Sequence, residues 1–348
     1  MNDHASPTGT LHPRISVAVC TYNRADRLCF TLDALAEQSV SLETFEILVI
    51  DNRSTDNTAE ICKTYQNRLA NLRYVYEPVQ GLSKARNTAL QQAKADYIAY
   101  LDDDAIPSEN WVAALLDAFE TTLPKPICVG GPIHPLWDIA KPDWMPQKTF
   151  YLFSIVDYQC RSRWLKLPKY PFGANMAFQR SALLQIGGFI ECLGREGQSL
   201  RSGEEYLVYR LLIEQGKGLL YYEPRASVQH WIPEARMNLN WMLRRSYWQG
   251  RSSALTSCLL GKPLVWEWKH IIGGLVRHGR PFIQMGILLK SLPNPQLRVI
   301  ALIKTTQSIG YLHEVWLRTL SWNTLNHPLN PANALFNNIQ SPAIGTGK

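Results

Sequence analysis

Three consecutive carboxylates, Asp102, Asp103 and Asp104, follow directly on the mostly apolar run Tyr97-Ile98-Ala99-Tyr100-Leu101. Like charges this close repel one another, so such a cluster needs a cation or hydrogen-bond donors to answer it. The apolar run reads as a buried strand, and open α/β sheets bind ligands outside the carboxyl ends of their strands. A hard divalent ion, Mg or Mn, held by one or two carboxylates plus the phosphates of a substrate fits both facts. Taken alone, the triplet reads equally as a solvated acidic turn whose Asp caps the next helix.

Three more polar clusters stand at comparable places. Thr21-Tyr22-Asn23-Arg24 follows the apolar run Ile15–Cys20, and Asp51-Asn52-Arg53-Ser54-Thr55-Asp56 follows Phe45–Ile50. Gly81-Leu82-Ser83-Lys84-Ala85-Arg86-Asn87 opens a helical stretch. In a doubly wound sheet all four clusters meet at one crevice. Polar groups from several loops suit a nucleotide, whose base and ribose need fixed donors and acceptors. Asp51 can accept from a base N–H or a ribose hydroxyl. Lys84 and Arg86 can answer phosphate charge, Arg in a bidentate way.

The elements that must position these groups are legible from spacing. Leu28, Leu32 and Leu35 predict a helix over 24–38. Further helices are expected from Asp56 to about Arg68, over 81–93 and over 109–121, with a short strand at Leu72–Tyr76. Strands alternating with helices in this way predict an α/β, doubly wound, mostly parallel Rossmann-like sheet flanked by helices. The stretch 124–170 is rich in Pro, Trp and Tyr and shows no period, which marks a functional loop region. Trp137, Trp144 and Trp164 in that stretch offer faces for sugar stacking, whereas Trp111, on a helix, reads as core. Regular patterning resumes with Asn175–Phe178, helices over 180–186 and 203–215, and strands near 219–222 and 226–230.

From Asn238 the chain reads as helices that mix Trp241, Trp248, Trp266 and Trp268 with Arg and Lys, broken at Gly273-Gly274, Pro281 and Pro293. Residues 1–13 read as a flexible tail and 321–348 as a loose one. Hydrophobic content of 46% with 19% charged residues is that of a folded globular protein, which excludes a disordered chain. Seven scattered cysteines without a CxxC pair exclude a zinc site or disulfide frame and read as reduced thiols of a cytosolic protein. The N-terminus lacks the pattern of a signal peptide, and no uncharged apolar stretch reaches the roughly 18 residues of a spanning helix.

Charge is unevenly placed. Residues 231–348 hold 13 Lys and Arg against 3 Asp and Glu, while the rest holds 23 against 26. No nucleic-acid-binding module accompanies this basic end, so nucleic acid is not expected as a partner. Basic helices with Trp and Leu suit an anionic membrane surface, or packing against the catalytic domain or a second subunit.

The ordered set CTYNR, IDNRSTDNT, GLSKARN and YLDDDAIPSENW resembles the family 2 glycosyltransferases of the GT-A fold. The resemblance continues through Gly173–Phe178, Ile186-Gly187-Gly188-Phe189 and Gly203-Glu204-Glu205, and covers about residues 14–232. It implies transfer of a sugar from a nucleotide diphosphate donor, by default a UDP-sugar, to an acceptor hydroxyl. Thr21, Asn23, Arg24, Asn52 and Ser83 belong to the implied donor-binding set. Asp51 resembles the carboxylate that holds the nucleobase. Asp102 and Asp104 match the ends of the family's DxD motif, and the resemblance implies that Asp102 would lie toward ribose or metal-bound water and that Asp104 would bind the metal bridging the diphosphate, with Asp103 the middle residue.

Glu204-Glu205 matches the family's acidic pair, usually Glu-Asp, with Glu205 as general base; a single displacement then inverts configuration. The same pair reads otherwise as surface acids favoured at a helix N-terminus. His230 resembles a late His that faces the metal or diphosphate, and Asn175 one that lines the donor-sugar pocket. Each has a structural alternative, a lone core His and a tight turn.

Arg53 and Asn57 stand where the family often has glycine, and the QxxRW signature of processive synthases is absent. The expectation is therefore a metal-dependent, inverting, non-processive enzyme of polysaccharide biosynthesis, acting on a glycan or lipid-linked acceptor. It is organised as a tail (1–13), a GT-A domain (14–232), a basic helical extension (233–320) and a loose tail (321–348). The expected place is the cytoplasm, peripheral on the cytoplasmic face of the inner membrane. The competing readings are a catalytically inactive nucleotide-sugar-binding module and a nucleotidyltransferase; the latter needs a glycine-rich phosphate loop that CTYNRADR is not.

Overall fold

A computed structural model describes residues 12–197, 199–216, 218–261 and 294–325. The expectations for 1–11, Trp266, Trp268, Gly273-Gly274, Pro281, Pro293 and 326–348 lie outside the described residues. The chain divides into two compact units, one of residues 1–138, 153–191 and 208–232, the other of 139–152, 192–207 and 233–348.

In chain order the elements are β1 (Ile15–Thr21), α1 (Ala25–Ala36), β2 (Phe45–Asp51), α2 (Thr58–Gln66), β3 (Leu72–Tyr76), α3 (Leu82–Gln92) and β4 (Tyr97–Asp102). Then come β5 (Ala105–Pro107), α4 (Trp111–Thr121), β6 (Cys128–Gly130), β7 (Ile133–Trp137), β8 (Arg163–Leu165), β9 (Asn175–Gln179) and α5 (Arg180–Gln185). The chain continues with α6 (Glu204–Glu214), β10 (Leu220–Tyr222), β11 (Val228–Ile232), α7 (Leu239–Leu259) and α8 (Pro295–Leu325).

The first unit is built on an eight-stranded sheet of order β3-β2-β1-β4-β9-β6-β10-β8. The pairings from β3 across to β4 are parallel, while β9 runs antiparallel to both its neighbours. Every residue of β2 is buried, as expected of a strand covered on both faces. Alternate residues serve opposite cores. Val17 and Val19 of β1 pack with Leu28, Leu32 and Leu35 of α1 and Trp111 and Phe119 of α4. Ala18, between them, packs on the other side with Ala85 and Ala89 of α3 and Leu183 of α5. A buried leucine of this kind contributes about 1.5–3 kcal/mol of transfer free energy.

The sheet order reverses direction at β1, with β2 on one side and β4 on the other. Cys20 pairs with Asp102 and Thr21 with Asp51, so the predicted site residues emerge side by side at the carboxyl edge. This is the switch point at which open α/β sheets bind ligands. The stretch 124–170 is more ordered than its composition suggests. It contributes β6, β7, β8 and a 3-10 turn at Gln147–Phe153, and its strands are three to five residues long, too short to display a period. A second, three-stranded sheet, β5-β11-β7, stands beside the first.

In the second unit α7 and α8 pack along their lengths. A Cβ on Gly250 would lie 1.8 Å from the Gln307 carbonyl oxygen, and one on Gly310 would lie 2.0 Å from that of Tyr247. The two backbones therefore touch where side chains are missing. Buried Glu314 on α8 accepts from Arg251 of α7 at 2.8 Å and from Arg318 at 3.2 Å. Asn238 caps α7 by accepting from the Trp241 amide at 2.9 Å. α8 continues to Leu325, past residue 320 where a loose segment was expected, and runs unbroken through Gly310. No helix among the described residues is long and apolar enough to cross a membrane.

Candidate functional site

The acidic turn leaves β4 at Asp102 and re-enters a strand at Ala105. Thr31 of α1 fixes it: its hydroxyl reaches the carbonyl oxygens of Asp103 and Ala105 at 3.0 and 2.9 Å. Strand β5, immediately after, pairs antiparallel with β11, so that His230 stands opposite Ala105. The Trp231 amide donates to the Asp104 carbonyl at 2.9 Å. A residue far along the chain is thereby brought onto the carboxylates.

Asp102, Asp104 and His230 each offer one ligand atom, all within 4.8 Å of one another. Asp104 and His230 are buried, and Nε2 of His230 lies 3.0 Å from Oδ1 of Asp104. A separation of about 3.0 Å is the edge of an octahedron with the ~2.1 Å bonds of a hard divalent ion. Nδ1 of His230 lies 3.0 Å from the carbonyl oxygen of Phe153, which can only accept. Nδ1 therefore donates, and in the neutral ring Nε2 turns a lone pair toward the carboxylate. Two acceptors facing each other call for a proton or a cation between them. Two carboxylates and one imidazole are a donor set for Mg or Mn, and the residues fit such an ion. The Phe153 carbonyl orients the ring as an outer-shell acceptor does in metal sites; being backbone, it left no signal in the sequence.

Basic groups answer the turn from two sides. Arg24, just ahead of α1, ion-pairs with Asp103 at 3.3 Å and, more closely, with Asp104. Arg86 of α3 reaches Asp102 at 3.8 Å, is itself buried, and lies 5.4 Å from the centre of the Phe189 ring. Burial pushes the Asp103 carboxyl up to about 7; Arg24 and Thr21 oppose the shift, and Asp104 and Asp102 add to it. The Arg24 guanidinium is held above its ordinary value by Asp103 and Asp104, which outweigh its partial burial.

Other predicted residues stand on the neighbouring loops. Asp51 is buried; its oxygens accept from the Ser54 amide at 2.8 Å and the Tyr74 hydroxyl at 2.7 Å. Asn23 accepts from the Thr55 amide at 2.7 Å and joins the first two loops. Asn52 donates to the Val79 carbonyl and accepts from the Gly81 amide, both at 2.7 Å, and so fastens the loop that opens α3. Gly81 has φ of 148°, a conformation that favours glycine. Arg53 adopts φ of 70°, keeping the left-handed backbone for which glycine is the easy choice. Thr21 and Ser83 are buried, whereas Lys84 is half-exposed and pairs with Glu191 at 3.5 Å.

Asn175 is held by three side-chain hydrogen bonds. It is fully buried, donates to the carbonyls of Pro132 and Ala226 at 3.2 and 2.8 Å, and accepts from Trp111 Nε1 at 2.9 Å. Its amide knits β9, the segment before β7, the segment before β11 and α4 together. Glu204 and Glu205 fall in the second unit, in the first turn of α6, where the helix dipole favours carboxylates; Glu204 is buried and Glu205 partly so. Sequence reasoning missed Thr31, and it named Asp56 only as a member of the second polar cluster. Asp56 accepts from the Ala25 amide at 3.0 Å and so caps α1 from a different loop. Thr31 had one available signal, a hydroxyl on the apolar face formed by Leu28, Leu32 and Leu35.

Residues 16–187 match the family model described as glycosyl transferase family 2. The chain is 25% identical over 248 residues to a glucosyl-dolichyl phosphate glucuronosyltransferase of Haloferax volcanii, covering 71% of this chain and 78% of that one. It is 28% identical over 250 residues to the succinoglycan biosynthesis protein ExoM of Rhizobium meliloti, covering 71% and 75%. Among solved structures, the mannosyltransferase PcManGT from Pyrobaculum calidifontis, in complex with GDP-Man and Mn2+, superposes with a TM-score of 0.51 at 20% identity, covering 94% of this chain and 79% of that one. The last likeness is one of fold.

Proposed function

From its membership of glycosyl transferase family 2, we propose that this chain is an inverting, metal-dependent, non-processive enzyme. It moves a sugar from a nucleotide diphosphate sugar, by default a UDP-sugar, to a hydroxyl of a glycan or lipid-linked acceptor in polysaccharide biosynthesis. The observation that carries this reading is the convergence of Asp102, Asp104 and His230 within 4.8 Å at the carboxyl edge of the sheet. These residues would hold Mn or Mg, which would supply positive charge against the departing diphosphate.

The chain's own residues supply the rest. Asp51, at the end of β2, accepts from the base or ribose, and Asn23 and Asn52 hold the surrounding loops in register. Arg24 and Arg86 answer phosphate charge. Glu205 takes the proton of the acceptor hydroxyl as that oxygen attacks the anomeric carbon and the bond to the nucleoside diphosphate breaks. One displacement leaves the sugar with inverted configuration. The basic helices α7 and α8 rest on the cytoplasmic surface of a membrane, where a lipid-linked acceptor is found.

The test is hydrolysis or transfer by purified protein over a panel of nucleotide sugars with Mn2+, with Mg2+ and with EDTA, reading nucleoside diphosphate. Ion-dependent release from one donor, abolished by EDTA, supports the reading and identifies the sugar. Release that EDTA leaves untouched would overturn the metal dependence. Retained configuration in the product would overturn the single displacement.

A further inference from the structure

Arg24 and the metal ligands compete for one carboxylate. Oδ1 of Asp104 faces His230, while Oδ2 carries the guanidinium of Arg24, which also reaches Asp103 at 3.3 Å. An ion held by Asp104 and His230 therefore shares a carboxylate with a permanent cation, and the two repel. The two arginines at the turn differ in freedom. Arg86 has a side chain 3% exposed and is packed at Phe189, whereas the Arg24 side chain is 29% exposed. The Arg24 backbone is nonetheless anchored, because its carbonyl accepts from the Leu28 amide at 2.9 Å and the next amide is held by Asp56. The guanidinium can thus leave the carboxylates while its point of attachment stays fixed. A diphosphate is the partner best able to draw it off, since guanidinium meets phosphate in a bidentate fork.

We propose that Arg24 is a counter-cation that occupies the carboxylates of Asp103 and Asp104 in the nucleotide-free protein and transfers to the donor's diphosphate when the ion binds. The proposal rests on reading Asp102, Asp104 and His230 as the metal site. Ion and nucleotide then bind with positive cooperativity: the ion alone has to displace Arg24, and the nucleotide removes that obstacle. Linkage makes the effect reciprocal, so the ion strengthens nucleotide binding by the same factor. The protein thereby disfavours a bare ion on its acidic turn.

The test measures Mn2+ binding to the full chain, from the electron paramagnetic resonance signal of free Mn2+, alone, with UDP and with GDP. The wild-type protein is expected to bind Mn2+ more tightly with one of these nucleotides, within the ~5- to 150-fold range usual for coupled sites. Arg24→Gln is expected to bind Mn2+ alone at least about 5-fold more tightly than wild type and to lose most of the nucleotide effect. Arg24→Lys, which keeps the charge without the fork, falls between the two and carries the test should Arg24→Gln fail to fold. If Arg24→Gln weakens nucleotide binding and leaves the affinity for Mn2+ alone unchanged or lower, Arg24 is a phosphate ligand only and the proposal is overturned. If wild-type protein takes up no Mn2+ with either nucleotide, the metal-site reading itself fails.

Discussion

Nε2 of His230 and Oδ1 of Asp104 lie 3.0 Å apart, and the other nitrogen of the same ring is committed to the Phe153 carbonyl. The pair is thus arranged for a cation or a proton and for little else. His230→Gln and Asp104→Asn are each expected to weaken Mn2+ binding and donor turnover by at least about 100-fold, the upper end of what loss of an outer-shell partner alone costs. Calorimetry with Mn2+ and a nucleoside diphosphate, beside steady-state kinetics, checks this. Normal affinity in both variants would remove the metal site.

Glu205→Gln keeps the size of the side chain and the helix start but cannot accept a proton. The expected outcome is a loss of about 10²- to 10⁴-fold in kcat, with the donor KM unchanged. Initial-rate kinetics with varied donor separates the two constants. A rise in donor KM at constant kcat would give Glu205 to substrate binding instead.

Arg53 is exposed and holds φ of 70°, so its side chain contributes strain without burial. The left-handed conformation costs an L-residue roughly 1–2 kcal/mol, partly offset by the roughly 0.5–1 kcal/mol that glycine loses in entropy. Arg53→Gly is expected to be neutral to slightly stabilising, by up to about 1 kcal/mol. Urea unfolding measures it, and a loss of more than that amount would show that the Arg53 side chain makes a contact of its own.

How much of this could be read from the sequence depended on element length and burial. The central strands announced themselves because each is a continuous apolar run covered on both faces, and α1 because leucines recur along one side. Their carboxyl ends then placed Thr21, Asp51 and Asp102 without further information. Strands β5 to β8 were not legible, since Ala105–Pro107 or Cys128–Gly130 carries no period over three residues. Yet β5 is what pairs with β11 and brings His230 to the carboxylates, so the third member of the cluster was visible only through resemblance. The role of Asn175 as a fastener was likewise not legible, because the hydrogen-bond partners of a buried amide lie on distant segments.

Gly250 and Gly310 allow α7 and α8 to meet backbone to backbone. Ala at either position inserts a methyl where no space exists and is expected to destabilise by about 1–3 kcal/mol. The double variant should cost less than the sum, because the first substitution already parts the helices. Denaturant melts of the single and double variants test this, and full additivity would mean that the two contacts are independent.

Burial pushes the Cys62 thiol up to about 12, so at pH 9 only about one molecule in a thousand presents the thiolate that alkylating agents attack. Cys160, by contrast, is exposed. Iodoacetamide at pH 9 is expected to modify Cys160 within minutes and Cys62 only after unfolding, as read by peptide mass spectrometry. Equal labelling of both in the native protein would contradict the packing of α2 on the sheet.

Asp102, Asp104 and His230 are separated in time as well as in sequence. A ribosome delivers Asp102 and Asp104 more than a hundred residues before His230, and β5 has no partner until β11 has been made. For most of its synthesis the emerging chain therefore carries a dense negative turn without its imidazole and beside an unpaired strand edge, a configuration that invites mispairing. Thr31 and Arg24, both translated earlier, are already there to restrain the turn through its carbonyls and to neutralise its charge. They serve as a scaffold for a nascent chain whose cluster of Asp102, Asp104 and His230 is completed only when its last strand arrives.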